Sequence, residues 1–113
     1  MSQKVYLGID TSCYTTSAAL LAEDGSLLAE ARQILSVKPG RCGLQQSEMV
    51  FQHTRNLPRL VEEVFADKDF TLAAIGVSGY PRPLADSYMP AFLAGMSVAR
   101  SLAAVYNVPL EVI

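Results

Sequence analysis

Val5-Tyr6-Leu7-Gly8-Ile9-Asp10-Thr11-Ser12 is the stretch that decides the fold of this chain. Its apolar run, ended by an acid and two hydroxyls, predicts a strand covered on both faces that breaks into a tight turn at Asp10. The turn continues through Cys13, Tyr14, Thr15 and Thr16, a cluster rich in side chains that hydrogen-bond their own backbone. A second apolar run, Ala18 to Ala22, follows, and Glu23-Asp24-Gly25-Ser26 then carries the Asp-Gly signal of a tight hairpin. Leu27 to Leu35 is a third strand. The first three strands therefore form an antiparallel meander.

Outward from that meander the period changes. Ser36 to Gln46 is a loop holding Pro39, Gly40 and Gly43. From Ser47 the residues Val50, Leu57, Leu60, Val61, Val64 and Phe65 recur on one helical face, with Ser47 as cap and Glu48 at the positive end of the dipole. Pro58 lies inside this helix and predicts a bend. Ala73 to Ser78 is a buried fourth strand, and Gly79 to Asp86, with two prolines, is a loop. A second helix is expected from about Ser87 to Tyr106, capped by Ser87 or Asp86, with Pro90 in its first turn and Asn107 as a left-handed C-cap. Pro109 to Ile113 is a fifth strand. Right-handed crossovers let the last two strands extend the sheet in parallel, which gives an α/β lobe with a mixed five-stranded sheet and two main helices.

Composition narrows the function classes. Of 113 residues half are hydrophobic and 18% charged, as in one folded domain with its own core rather than a disordered tail or collagen-like repeat. Nine basic residues are outnumbered by eleven acids and form no stripe, so direct nucleic-acid binding by this lobe is not expected. No signal peptide or membrane-spanning run occurs, and a cytoplasmic location is expected. Cys13 and Cys42 form neither a C-x-x-C pair nor a metal cluster with His53, and are read as reduced thiols.

Asp10 is the most informative single residue. At the carboxyl end of a buried strand, before a hydroxyl-rich turn, it could hold a metal's water while the turn offers N–H groups to a phosphate. It equally serves as a strand terminator that caps the turn. Lys38 to Gly43 could place two cations near an anion or be an ordinary exposed connection. Neither a G-x-x-x-x-G-K-[ST] loop nor a G-x-G-x-x-G fingerprint is present. His53 has no partner fixed by spacing and is expected on the helix surface or its flank, in a structural role.

Leu7-Gly8-Ile9-Asp10-Thr11-Ser12-Cys13, Thr16, the helix containing Leu57-Pro58, and Gly95-Met96-Ser97-Val98-Ala99-Arg100-Ser101-Leu102-Ala103 before Val108-Pro109 resemble the glycoprotease family. Those proteins, once called O-sialoglycoprotein endopeptidases, are linked to threonylcarbamoyladenosine formation in tRNA. The resemblance implies the actin-like ATPase (sugar kinase, chaperone) fold, in which two ribonuclease H-like lobes flank a nucleotide and a metal. It covers nearly the whole chain in order. Tyr14 and Thr15 stand where the family carries acidic residues, and Tyr80 to Asp86 replaces a short Gly-Pro-Gly loop. The family's His-rich metal motif would begin after Ile113.

The expectation is an N-terminal lobe, residues 1–113, with the second lobe absent. Phosphate or nucleotide contacts are implied for Asp10, Thr11, Ser12 and Cys13, and neither catalytic nor direct metal-ligating residues are expected. The fragment is expected to bind no cofactor by itself, whereas ATP and a divalent metal are implied for a full-length member. The activity implied is ATP-linked threonylcarbamoyl transfer to tRNA adenosine; alternatives are a non-catalytic dimerising scaffold of that pathway or a paralogue acting on another phosphorylated substrate. Expected partners are a second copy, with the nearly uncharged helix from Ser87 to Tyr106 contributing to the contact and Ala94 and Gly95 as the positions that test it, or a tRNA-modification protein.

Overall fold

Strand β1 (Gln3–Asp10) is the middle of five, and every other element is placed by what it does to β1. In this computed structural model residues 2–12, 14–37, 46–79 and 90–113 are described. β1 pairs antiparallel with β2 (Thr15–Ala22), setting Leu7 opposite Leu20, and β2 pairs antiparallel with β3 (Leu27–Ile34). On its other side β1 pairs in parallel with β4 (Phe70–Val77), Leu7 opposite Ile75, and β4 pairs in parallel with β5 (Leu110–Val112). The order β3-β2-β1-β4-β5 is the predicted meander extended by two parallel strands.

The hairpin between β2 and β3 turns where the sequence predicts. Gly25 has φ +89, a conformation that costs a side-chain-free residue little, and Asp24 Oδ1 accepts hydrogen bonds from the Ser26 amide (2.9 Å) and hydroxyl (2.7 Å). Helix α1 (Gln46–Phe65) crosses back over β2 and β3, and α2 (Ala91–Tyr106) packs on β4, β1 and β5 and against α1. Asn107 ends α2 in the left-handed region (φ 55, ψ 52), its amide bonding the Ala103 carbonyl, as predicted. The Ser87 and Asp86 caps, the start of α2 expected there, and the loops 38–45 and 80–89 lie outside the described residues.

The sheet is covered on one face only, which corrects the two-sided burial expected of β1. Val5, Leu7 and Ile9 are 1–3% exposed beneath the helices, whereas Tyr6 and Gly8 on the opposite face are half-buried. The core is built from those three with Ala18 and Leu20 of β2, Ile75 and Val77 of β4, and Leu57, Leu60 and Val64 of α1. Burying each Leu or Ile side chain contributes about 1.5–3 kcal/mol. A 20-residue segment with an interior proline has little helical stability of its own, so this packing is what holds α1.

Two helical expectations change. The inward stripe of α1 is Met49, Gln52, His53, Asn56, Leu57, Leu60 and Val64, so His53 lies inside the fold rather than on the surface or flank. On α2, Ala94 is 5% exposed and Gly95 is buried against β1, so neither can form the contact between copies expected of them; the exposed apolar residues of this helix are Leu93, Val105 and Tyr106.

Helix α1 runs through Pro58 without a break. Pro58 has no N–H to offer the Thr54 carbonyl, and both residues are exposed. Pro58→Ala restores the backbone bond at a position where no packing is lost. It is expected to raise stability by about 1–2 kcal/mol in denaturant unfolding, the gain being reduced by the freer unfolded chain. An unchanged or lower midpoint would show that the proline is accommodated without cost.

Candidate functional site

Both helices begin at the edge of the sheet where β1, β3 and β4 end, so their positive dipole ends and the carboxyl end of β1 share one rim. A parallel β1–β4 pair forces this. The ladder continues one residue past β4, the Ser78 amide donating to the Ile9 carbonyl at 3.1 Å, and that sets Ser78 beside Asp10.

Asp10 Oδ1 accepts two hydrogen bonds at 2.8 Å, from the Ser12 amide and from the Ser78 hydroxyl. Ser78 Oγ in turn accepts from the Thr11 amide at 3.3 Å. Asp10 is exposed at this rim. Burial of the carboxyl pushes its pKa up, but the hydrogen bonds from Ser12 and Ser78, helped by the charge of His53, outweigh this and hold it below the usual aspartate value. The carboxylate is therefore a negative charge held in place at the rim.

The turn after Asp10 is fastened at both ends. The Thr11 hydroxyl, fully buried, donates to the Ala91 carbonyl at the start of α2 (3.0 Å). A Cβ on Gly95 would sit 3.0 Å from Thr11 Oγ1 and 3.3 Å from Ile9 Cγ2, so glycine is what lets α2 approach this closely. At the far end Thr16 Oγ1 lies 2.7 Å from His53 Nδ1 and accepts from Asn56 Nδ2 at 3.2 Å. Thr16 and His53 are fully buried and Asn56 nearly so.

Of the residues singled out in the sequence, Asp10, Thr11 and Ser12 are brought together as one hydrogen-bonded unit, and Cys13 lies outside the described residues. So do Cys42 and the Lys38–Gly43 loop. The amides of Thr11 and Ser12 are committed to Ser78 and Asp10, so these residues hold the carboxylate in place. Sequence reasoning missed Ser78 and the Thr16–His53–Asn56 cluster. His53 carried a readable signal: it stands four residues before Leu57, on the inward stripe.

Beside Asp10 the uncovered sheet face forms an open cavity of about 510 Å³. Gly8, Ala19 and Gly76 make its floor, Asp10, Ser17 and Ser78 its polar end. Among the described residues no group of three or more His, Cys, Asp or Glu could hold a metal, and no helix is long and apolar enough to cross a membrane.

The lowered Asp10 pKa has a pH signature. Stability from this group is present above the unfolded aspartate pKa and is lost as pH falls through the lower folded value. Ser78→Ala removes one of the lowering bonds, so it is expected to raise the Asp10 pKa toward 3.8, read by carboxyl NMR titration, while that of Asp24 stays put. At neutral pH the variant should be about 1 kcal/mol less stable, given the exposure of the pair, and the gap should narrow on acidification. A gap that widens toward low pH would reverse the assignment.

No family model matches the chain. It is 30% identical, over 110 residues and 92% of its length, to the probable mitochondrial tRNA N6-adenosine threonylcarbamoyltransferase of Caenorhabditis elegans, of which it spans 24%. Among solved structures it superposes along its whole length on 44% of YeaZ from Pseudomonas aeruginosa, with TM-score 0.64 and 20% identity. It also matches 64% of the Thermus thermophilus RuvC chain over 97% of its own length, with TM-score 0.55 and 14% identity. The last two likenesses establish the ribonuclease H-like fold that the strand order displays. With the sequence match to the transferase, they place the chain in the glycoprotease family of tRNA-modification proteins, as an N-terminal lobe of its fold.

Proposed function

We propose that this lobe supplies the phosphate-facing edge of a nucleotide site in a protein that transfers a threonylcarbamoyl group to tRNA adenosine, with Asp10, Thr11, Ser12 and Cys13 as that edge. The observation that supports this reading is the ionised Asp10, pinned through Oδ1 at the rim where both helices start. A lone, rigid carboxylate suits a water of a hydrated divalent cation better than direct chelation, which needs several protein ligands. When bound, the magnesium that accompanies a triphosphate would neutralise phosphate charge, and Asp10 would hold one of its waters. Thr11, Ser12 and Ser78 keep the carboxylate at a fixed position. The two helix N-termini favour anions along the same rim.

On this reading the chain alone is not catalytic. It spans 24% of the curated transferase and 44% of YeaZ, and an adenosine pocket needs walls on more than one side. ATP, magnesium and a second lobe complete the site. With eleven acids against nine bases, this lobe is not the part that contacts tRNA directly.

The test is a titration of the isotopically labelled chain with magnesium–ATP, followed by amide NMR. Weak, millimolar binding is expected, with shifts centred on Thr11, Ser12 and Ser78 that disappear in Asp10→Asn. Micromolar affinity would show that the lobe is self-sufficient. Shifts confined to other parts of the sheet would remove the turn from the nucleotide site.

A further inference from the structure

We propose that His53 is a positioning residue for the Asp10 turn, acting through Thr16: the imidazole and Asn56 fix the start of β2, and with it Ser17, the strand partner of Asp10, whose carboxylate accepts the Ser12 hydrogen bond. The proposal rests on the reading that Asp10 faces a ligand only for its importance to function; the coupling itself is a property of the free chain.

His53 is the only histidine of the sequence and is fully buried between helix and sheet, in a small polar cluster with Thr16 and Asn56. An imidazole in that place is costly unless it is hydrogen-bonded, and an aliphatic side chain of similar volume would pack as well. What the imidazole provides is a direction. Its Nδ1 meets Thr16 Oγ1 at 2.7 Å, and Asn56, one turn later on the same face of α1, donates to the same oxygen at 3.2 Å. Thr16 is thus held from two points of one rigid helix, which fixes where it sits along the strand.

Thr16 is placed to transmit this. Ser17 is the register partner of Asp10, so Thr16 is the first residue of β2 beyond that pair on the side of the turn. Asp10 is held from both sides: Ser17, next to Thr16, pairs with it across the ladder, and Thr11, which follows it, is tied to α2. A shift of Thr16 therefore passes through Ser17 to Asp10, whose Oδ1 lies 2.8 Å from the Ser12 amide in a bond that weakens steeply with distance and angle. The charge of His53 also favours the ionised form of Asp10 through space.

The chain contains its own control. Asp24 and Ser26 form the same carboxylate-to-amide turn at 2.9 Å, in the hairpin at the opposite end of β2 from Thr16. Amide hydrogen exchange of Ser12 and Ser26 is measured in the intact chain, in His53→Leu, and in Gln52→Leu. Gln52 neighbours His53 on α1 and is also buried, but its hydrogen bonds go to the backbone of Ser36 and to the Glu48 carboxylate. His53→Leu is expected to speed Ser12 exchange by roughly tenfold or more while Ser26 keeps its rate, and Gln52→Leu to leave the Ser12-to-Ser26 ratio unchanged. Thr16→Val, which keeps the imidazole, should reproduce the effect and separates geometry from charge. His53→Asn, whose side-chain amide reaches the Nδ1 position, should restore protection. Equal acceleration of both amides, or an unchanged Ser12 in a folded His53→Leu or Thr16→Val chain, would overturn the proposal.

Discussion

The parallel pairing of β1 with β4 is the constraint on which the rest of this lobe depends. A parallel neighbour cannot be reached by a hairpin, so the chain must return across the sheet, and α1 is that return. Once β4 lies beside β1 in the same direction, the ends of both strands reach one rim, and Ser78 meets Asp10 without any further instruction from the sequence. The second crossover, α2, must then start from the same rim. Thr11 reaches its first carbonyl, and Gly95 leaves the room for it.

The order and type of all seven elements were legible because their signals are local. Asp24-Gly25, the helical stripe around Leu57 and Leu60, and Asn107 each act within a few residues of themselves. Strand limits were less legible. β4 begins at Phe70 rather than Ala73 because pairing with Gln3 and Lys4 draws Phe70 and Thr71 into the ladder; both are strand-favouring residues, but the Asp67-Lys68-Asp69 break beside them masked the signal.

The site was legible only at Asp10, Thr11 and Ser12, where an acid and hydroxyls interrupt an apolar run. Ser78 acquires meaning only from which strand lies next to it. His53 was assigned outward from its polarity, although its helical phase points inward; hydrogen bonds to Thr16 decide the matter. One-sided covering of the sheet was hidden for a different reason. Gly8, Ala19 and Gly76 count as apolar in any hydropathy pattern, yet they mark the uncovered face.

That uncovered face bears on how the chain tolerates change. A Cβ at Gly8 would meet nothing within 4 Å, so the lobe as it stands sets no steric limit on a small side chain there. Any body laid across the floor of Gly8, Ala19 and Gly76 would impose such a limit. The substitutions permitted at these three positions are thus a footprint: permissive where the face meets water, restrictive where something rests on it.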